Sequence, residues 1–187
     1  MKQRYRIWLI LLLCIILGII CGIARTNIIH KWYEGNEGLI EKAKEEMNIS
    51  TKDEVEIIIL GSVDINNRAL VWFMSEDSNN QHEYCALEFK INDKDSSLFQ
   101  FVKNCNAKYI EPDAYICNWN LEENNTIYSF AIKNETFSKI KFEYKDGQIE
   151  EIDINNREFP LYTSDFNPVK YGLYNELGQV LSGDVIN

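Results

Sequence analysis

Lys139-Ile-Lys-Phe-Glu-Tyr144, Lys145-Asp-Gly147 and Gln148-Ile-Glu-Glu-Ile-Asp-Ile154 follow one another in the chain, and this stretch decides the fold class. Apolar and charged side chains alternate on both sides of the central triplet. This alternation is typical of two half-buried strands, and an Asp-Gly pair between them is typical of a tight turn. The stretch therefore predicts an antiparallel hairpin with one apolar face and one charged face.

The loop length of this hairpin sets its register. A two-residue loop would place Phe142 opposite Glu151 and mix the two faces, which a half-buried strand pair resists. A three-residue loop with a left-handed Gly147 instead places Ile140 opposite Ile152. The charged face then forms the cross-strand pairs Lys139–Asp153 and Lys141–Glu151. We therefore predict the three-residue loop.

The same reasoning extends along residues 37–187, where short apolar runs alternate with Asn, Asp, Gly and Pro. Leu39, Ala43 and Met47 recur at helical spacing and predict one amphipathic helix over Glu37–Asn48. The runs that follow predict antiparallel strands, because no long helix separates them. The predicted strands are Val55–Gly61, Arg68–Ser75, Glu83–Ile91, Leu98–Asn104, Ala114–Asn120, Thr126–Lys133, Phe137–Lys145, Gln148–Ile154, Phe159–Thr163, Val169–Asn175 and Gln179–Ser182.

We therefore predict an N-terminal transmembrane helix followed by an α+β, mainly antiparallel-β domain with a short helix and two small sheets or lobes. The break near residues 118–125 is the best internal boundary, and one continuous fold is the alternative. The predicted organisation is a basic cytoplasmic tail (1–6), a transmembrane signal anchor (7–24), a juxtamembrane segment with the amphipathic helix (25–48), a first lobe (49–122) and a second lobe (123–187).

The predicted anchor is an uncharged apolar run from Ile7 to Ala24. Its eighteen residues span about 27 Å as a helix, close to the thickness of a bilayer core. Trp8 lies near one end, while Trp32 and Tyr33 follow the other, where interfacial aromatic residues are common. Basic residues before the run favour an N-terminus inside and a body outside the cell membrane. A signal peptide cleaved after Ala24 is the alternative.

Small residues line one face of the predicted span. Cys14, Gly18 and Gly22 lie four apart, and Gly18 and Gly22 form a G-x-x-x-G pattern. Such a face lets two helix backbones approach closely, so it predicts a homodimer through the span. A chance occurrence of glycine is the alternative.

The charge and motif content exclude several classes of function. Three of the 19 Lys and Arg and none of the 29 Asp and Glu lie in residues 1–24, so the rest of the chain carries −13. An acidic body argues against nucleic-acid binding. No P-loop, dinucleotide, nucleophile-elbow or zinc-protease pattern occurs. We predict no catalytic, cofactor-binding or metal-binding residue, no cofactor, and a protein that is not an enzyme.

Two further groups of residues are candidates for a functional role. Cys105 and Cys117 flank Glu111 symmetrically, so a disulfide between them is one interpretation, and other pairings with Cys85 or free thiols are the others. The second group consists of aromatic side chains crowded near the C-terminus, which predict either a groove for a peptide or an envelope glycan, or a packed core. These are Tyr162, Phe166, Tyr171 and Tyr174.

The layout includes Ala69-Leu-Val-Trp-Phe73 and the terminal stretch from Val169 to Val180. It resembles the small membrane-anchored proteins of unknown function of low-GC Gram-positive bacteria. The resemblance covers the plan of the whole chain, implies an anchored outer domain and identifies no functional residue. We predict a single-pass protein whose outer domain binds or senses a protein or cell-envelope component, its other partner being the lipid bilayer. The alternatives are an immunity-type or assembly partner acting through its span, and a secreted enzyme.

Overall fold

A computed structural model describes residues 31–49, 55–76, 82–111, 114–121, 125–132, 136–154 and 161–183 of the chain. The predicted span over residues 7–24 therefore lies outside the described residues. Among the residues that are described, no helix is both long and apolar enough to cross a membrane.

The described residues form one helix and three antiparallel sheets, and they confirm the mainly antiparallel-β class. The helix is α1 (Gly35–Glu46). The first sheet has the order β1-β5-β4-β3-β2, the second β11-β8-β7-β6 and the third β10-β9-β12-β13. The strands are β1 (Trp32–Glu34), β2 (Glu56–Ile65), β3 (Arg68–Glu76), β4 (His82–Ile91), β5 (Leu98–Asn104), β6 (Lys108–Ile110), β7 (Ala114–Asn120), β8 (Thr126–Ile132), β9 (Lys139–Tyr144), β10 (Ile149–Asp153), β11 (Leu161–Thr163), β12 (Pro168–Tyr174) and β13 (Val180–Gly183).

Helix α1 covers one face of the first sheet. It buries Leu39 and Ala43 in a cluster with Val71 and Phe73 of β3. Its end is near the predicted position, because Asn48 adopts the left-handed conformation (φ 55°) that terminates many helices. The helix thus packs through the apolar stripe that its sequence predicts.

The second and third sheets stack on the face of the first sheet that is opposite the helix. Leu70 and Trp72 of β3 point to the opposite face from Val71 and share a buried cluster with Trp119 of the second sheet. On the other face of the second sheet, Phe130 packs against Phe142 of the third sheet, with ring centroids 5.8 Å apart. The described residues therefore form four layers, in the order helix, first sheet, second sheet and third sheet.

The number of sheets differs from the prediction of two, and the burial of the central strands explains the difference. Strand β3 buries seven consecutive side chains, so both of its faces need a covering layer. Strand β8 likewise buries residues on both faces, with Ala131 toward the first sheet and Phe130 toward the third. The second sheet also takes strands from both predicted lobes, because β7 pairs with β8 across residue 122.

The hairpin of β9 and β10 has the predicted register. Ile140 faces Ile152, and Gly147 is left-handed with φ 82°. The Tyr144 amide donates to the Gln148 carbonyl across a three-residue loop. On the charged face, the hydrogen bond from Lys139 and then that from Lys141 hold the pKa of the Glu151 carboxyl at about 2. The alternation of the sequence and its turn are enough to specify this pairing.

Two short strands, β1 and β6, were not predicted. Strand β1 contains Trp32 and Tyr33, which the sequence placed beside a membrane surface. Tyr33 pairs with Phe99 of β5 and is buried, whereas Trp32 is 38% exposed. A three-residue strand carries little periodicity of its own, and the equally short β11 was predicted only as part of the longer run Phe159–Thr163.

Candidate functional site

An open groove of about 740 Å³ lies beside the loop of the β9–β10 hairpin. Its other wall is the segment that leaves β11 in the second sheet and enters β12 in the third. The groove thus lies where the chain crosses between two layers. Its lining residues are Tyr144, Lys145, Asp146, Gln148, Asp165, Phe166 and Asn167.

The crossing segment is held firmly against strand β8. The Asn167 amide donates to the Thr126 carbonyl at 2.7 Å, and the Thr126 amide donates to Asn167 Oδ1 at 2.8 Å. Asn167 has φ 60°, a conformation that asparagine tolerates better than most residues. In the same way, the Ser164 amide donates to the Tyr128 carbonyl, and the Tyr128 amide donates to Ser164 Oγ. These bonds hold this wall of the groove against strand β8.

Tyr144 joins the two walls of the groove. Its hydroxyl donates to Glu150 Oε2 and accepts a hydrogen bond from the Asp165 amide at 3.1 Å. Burial, and then the hydrogen bond to Glu150, raise the pKa of the Tyr144 hydroxyl well above its ordinary value. The phenol therefore stays protonated at neutral pH, and its hydrogen bonds connect the hairpin to the crossing segment.

The four predicted aromatic residues have different environments. Phe166 is 47% exposed and lines the groove. Tyr171 packs against Phe130, with ring centroids 5.2 Å apart, and Tyr174 is buried in the third sheet. Tyr162 packs against the same cluster as Tyr171. The structure therefore places Phe166 at a surface and the other three at or in the core.

Sequence reasoning missed most of the groove. Tyr144, Gln148 and Asn167 were assigned to a hairpin and a connecting segment, with no functional role. The Asp146-Gly147 turn was recognised, but the sequence does not indicate that residues 165–167 pass beside it. This proximity is created by the pairing of β12 with β9, a long-range contact.

A second cluster of polar groups lies between the first and second sheets. Glu88 of β4 is completely buried and forms an ion pair with Arg68 of β3. Its other oxygen lies 3.4 Å from Lys103 of β5, which faces it directly in the strand register. The negative charge of Glu88 is thus balanced by the largely buried Arg68 and the half-exposed Lys103.

Cys105 and Cys117 lie next to this ion cluster. Cys105 follows β5 of the first sheet, and its amide donates to the Ala86 carbonyl at 2.8 Å. Cys117 lies on β7 of the second sheet, and its thiol contacts the Cys105 carbonyl oxygen at 3.8 Å. Both residues are free thiols. The structure therefore brings the two predicted cysteines together, across the interface between two sheets.

One interpretation of the sequence placed Cys105 and Cys117 close together, but for a different reason from the one that the structure shows. Symmetry about Glu111 would place the cysteines opposite each other on one hairpin. The β6–β7 ladder instead pairs Lys108 with Ile116, so Cys105 precedes the ladder. Contact arises because the end of β5 faces the second sheet. Cys85 points toward the helix on the other face of the first sheet, where burial raises the pKa of its thiol to about 12.

Within the described residues, no group of three or more His, Cys, Asp or Glu side chains is placed to hold a metal ion. The predicted dimer face of Cys14, Gly18 and Gly22 lies outside them. No family model, curated protein or solved structure matches the chain.

Proposed function

We propose that the protein is anchored by a single membrane span and that its outer β-rich body binds a saccharide of the cell envelope in the groove beside Tyr144. The anchor is the uncharged run from Ile7 to Ala24, with basic residues in front of it. The observation that carries the binding function is the groove itself, an open cleft that combines an exposed aromatic ring with polar side chains.

The lining of the groove suits a sugar better than an apolar ligand. The Phe166 ring is half-exposed and offers a flat apolar face for the C–H groups of a pyranose. Around it, the Gln148 amide carries both donors and acceptors, while Asp146 and Asp165 offer acceptors for hydroxyl groups. A few polar groups around an apolar contact are typical of small-molecule sites.

The environment of Tyr144 supports binding without catalysis. Its hydroxyl is occupied by Glu150 and the Asp165 amide, and its raised pKa keeps it protonated at neutral pH, so no phenolate is available to act as a base. A general base needs a pKa near the working pH. Tyr144 therefore does not serve as a general base, and we propose a binding or sensing role for the groove.

The groove is tested by the substitution Phe166→Ala in the full chain, solubilised in detergent. We expect co-sedimentation with purified Gram-positive cell-wall sacculi to weaken about tenfold, which corresponds to about 1.4 kcal/mol of binding free energy. The matched control is Leu177→Ala, because Leu177 is an exposed apolar residue in the β12–β13 turn. Equal sedimentation of the Phe166 variant and wild type, or no sedimentation of wild type, would contradict the proposal.

The topology is tested by adding protease to whole cells that express the full chain with a C-terminal tag. We expect the tag and the body to be degraded from outside, because the basic residues precede the span. A cytoplasmic protein of the same cells is the control for intact membranes. Protection of the body until the cells are lysed would overturn the proposed orientation.

A further inference from the structure

We propose that Cys105 and Cys117 form an exchange-active dithiol, in which Cys105 reacts first with a disulfide of a small thiol and Cys117 then closes an intramolecular disulfide. This inference concerns a modification site between the first and second sheets. It is independent of the groove and of its ligand, so either proposal can fail without the other.

The geometry places the two sulfur atoms within reach of each other. The Cys117 thiol contacts the backbone carbonyl oxygen of Cys105 at 3.8 Å, so the two residues lie side by side across the interface between the sheets. Cys85 belongs to the cluster beneath the helix, on the other face of the first sheet. Within the described body, the fold therefore selects one pair of its three cysteines.

The two thiols differ in accessibility. Cys117 is completely buried beside Trp119, whereas Cys105 is partly exposed. A disulfide in solution can therefore reach Cys105, while Cys117 reacts only with a sulfur atom already beside it. This combination of an accessible and a buried thiol fixes the order of the two steps.

The electrostatic surroundings favour the same order. The hydrogen bond from Cys117 lowers the pKa of the Cys105 thiol below its ordinary value, although burial opposes it. Lys103 and Arg68 act in the same direction as Cys117, and Glu88 acts against them. The hydrogen bond to Cys105, followed by burial, raises the pKa of Cys117. Because the thiolate is the nucleophile in exchange, Cys105 is the more reactive member.

The reaction balances with one molecule of a disulfide as the oxidant. The Cys105 thiolate attacks one sulfur of the reagent, whose S–S bond breaks and releases the first small thiolate. The Cys117 sulfur then attacks Cys105 Sγ, breaks the mixed disulfide and releases the second small thiolate. Two protein thiols are oxidised, one reagent disulfide is reduced, and the two thiol protons end on the two released thiolates.

The new bond would connect two layers of the fold. Cys105 follows β5 of the first sheet and Cys117 lies on β7 of the second, with a sequence separation of 12 residues. A covalent link between them restricts the unfolded chain more than the folded one. Oxidised protein should therefore unfold at a higher temperature than reduced protein.

Glutathione disulfide is the probe that tests this proposal, applied to the reduced full chain in detergent. After alkylation and tryptic digestion, Cys105 and Cys117 lie in separate peptides, 104–108 and 109–133, because Lys103, Lys108 and Lys133 are cleavage sites. We expect these two peptides to become linked, and early samples to carry glutathione on 104–108 alone. Mass spectrometry of a time course measures both species.

Variants separate the two steps. Cys117→Ser should stop at a stable glutathione adduct on Cys105, whereas Cys105→Ser should give neither adduct nor link. Cys85→Ser is the matched control and should form the link at the wild-type rate. The proposal is overturned if wild type accumulates the Cys105 adduct without closing the link, or if Cys117 is modified first. The wild-type time course decides this even if a variant does not fold.

Discussion

Replacing Arg68 with methionine is expected to lower the free energy of unfolding by about 3 kcal/mol. The substitution keeps most of the aliphatic stem but removes the cation that pairs with the fully buried Glu88. Lys103 remains at 3.4 Å, yet its side chain is 44% exposed and its charge is partly screened by water. Urea unfolding followed by tryptophan fluorescence measures the loss.

The expected loss of stability comes from leaving the buried Glu88 carboxylate without its main partner. A second substitution that removes this carboxylate should therefore restore the stability. In the double variant Arg68→Met with Glu88→Leu, the polar pair is replaced by apolar groups, and stability should return to within about 1 kcal/mol of wild type. Lys103→Met is the matched single control and should cost about 1 kcal/mol or less, because it is a half-exposed partner. A destabilisation of the double variant as large as that of Arg68→Met would show that packing, and not charge, is responsible.

Replacing Trp72 with alanine is expected to cost about 4 kcal/mol of unfolding free energy. Trp72 is completely buried between the first and second sheets, in a cluster with Leu70 and Trp119. Its indole N–H also donates to Ser129 Oγ of β8 at 2.9 Å. Removing the ring leaves a large cavity between the first and second sheets and removes the indole donor from the Ser129 hydroxyl, which keeps only the longer bond from Thr163 Oγ1 at 3.5 Å. Thermal unfolding monitored by far-ultraviolet circular dichroism measures the effect.

Ser129→Ala separates the hydrogen bond from the packing. It removes the acceptor, leaves the indole in place and should cost about 1–2 kcal/mol, the usual loss for an unpaired buried donor. Leu181→Ala is the control for an exposed apolar side chain and should cost about 0.5 kcal/mol or less. If Trp72→Ala cost no more than Ser129→Ala, Trp72 would not be a major packing element between the two sheets.

The β9–β10 hairpin was predicted to its register because all of the information for it is local. Apolar alternation fixes which face is buried, and Gly147 fixes the loop. Helix α1 was predicted for the same reason, since Leu39 and Ala43 lie on one side of it. Neighbouring residues carry these signals, so no distant part of the chain is needed to interpret them.

The contacts between layers were not predictable in this way. The sequence left Tyr171 either in a binding surface or in a core, with the core as the usual place for an aromatic residue in a strand. Its actual position depends on the second sheet, which covers the inner face of the third. The groove beside Tyr144 exists because β12 pairs with β9 and carries residues 165–167 past the hairpin loop. Neither arrangement leaves a periodic signal in the sequence.

By itself, the sequence determined the antiparallel-β class, most of the strands and the hairpin register, because alternation and turn residues act over a few positions. It also provides the basis for the proposed anchor, an apolar run that needs no tertiary contact to be recognised. The tertiary structure decided the stacking of three sheets and the contact between Cys105 and Cys117. Those features depend on which buried faces pack against each other, and this packing is determined by residues that lie far apart in the chain.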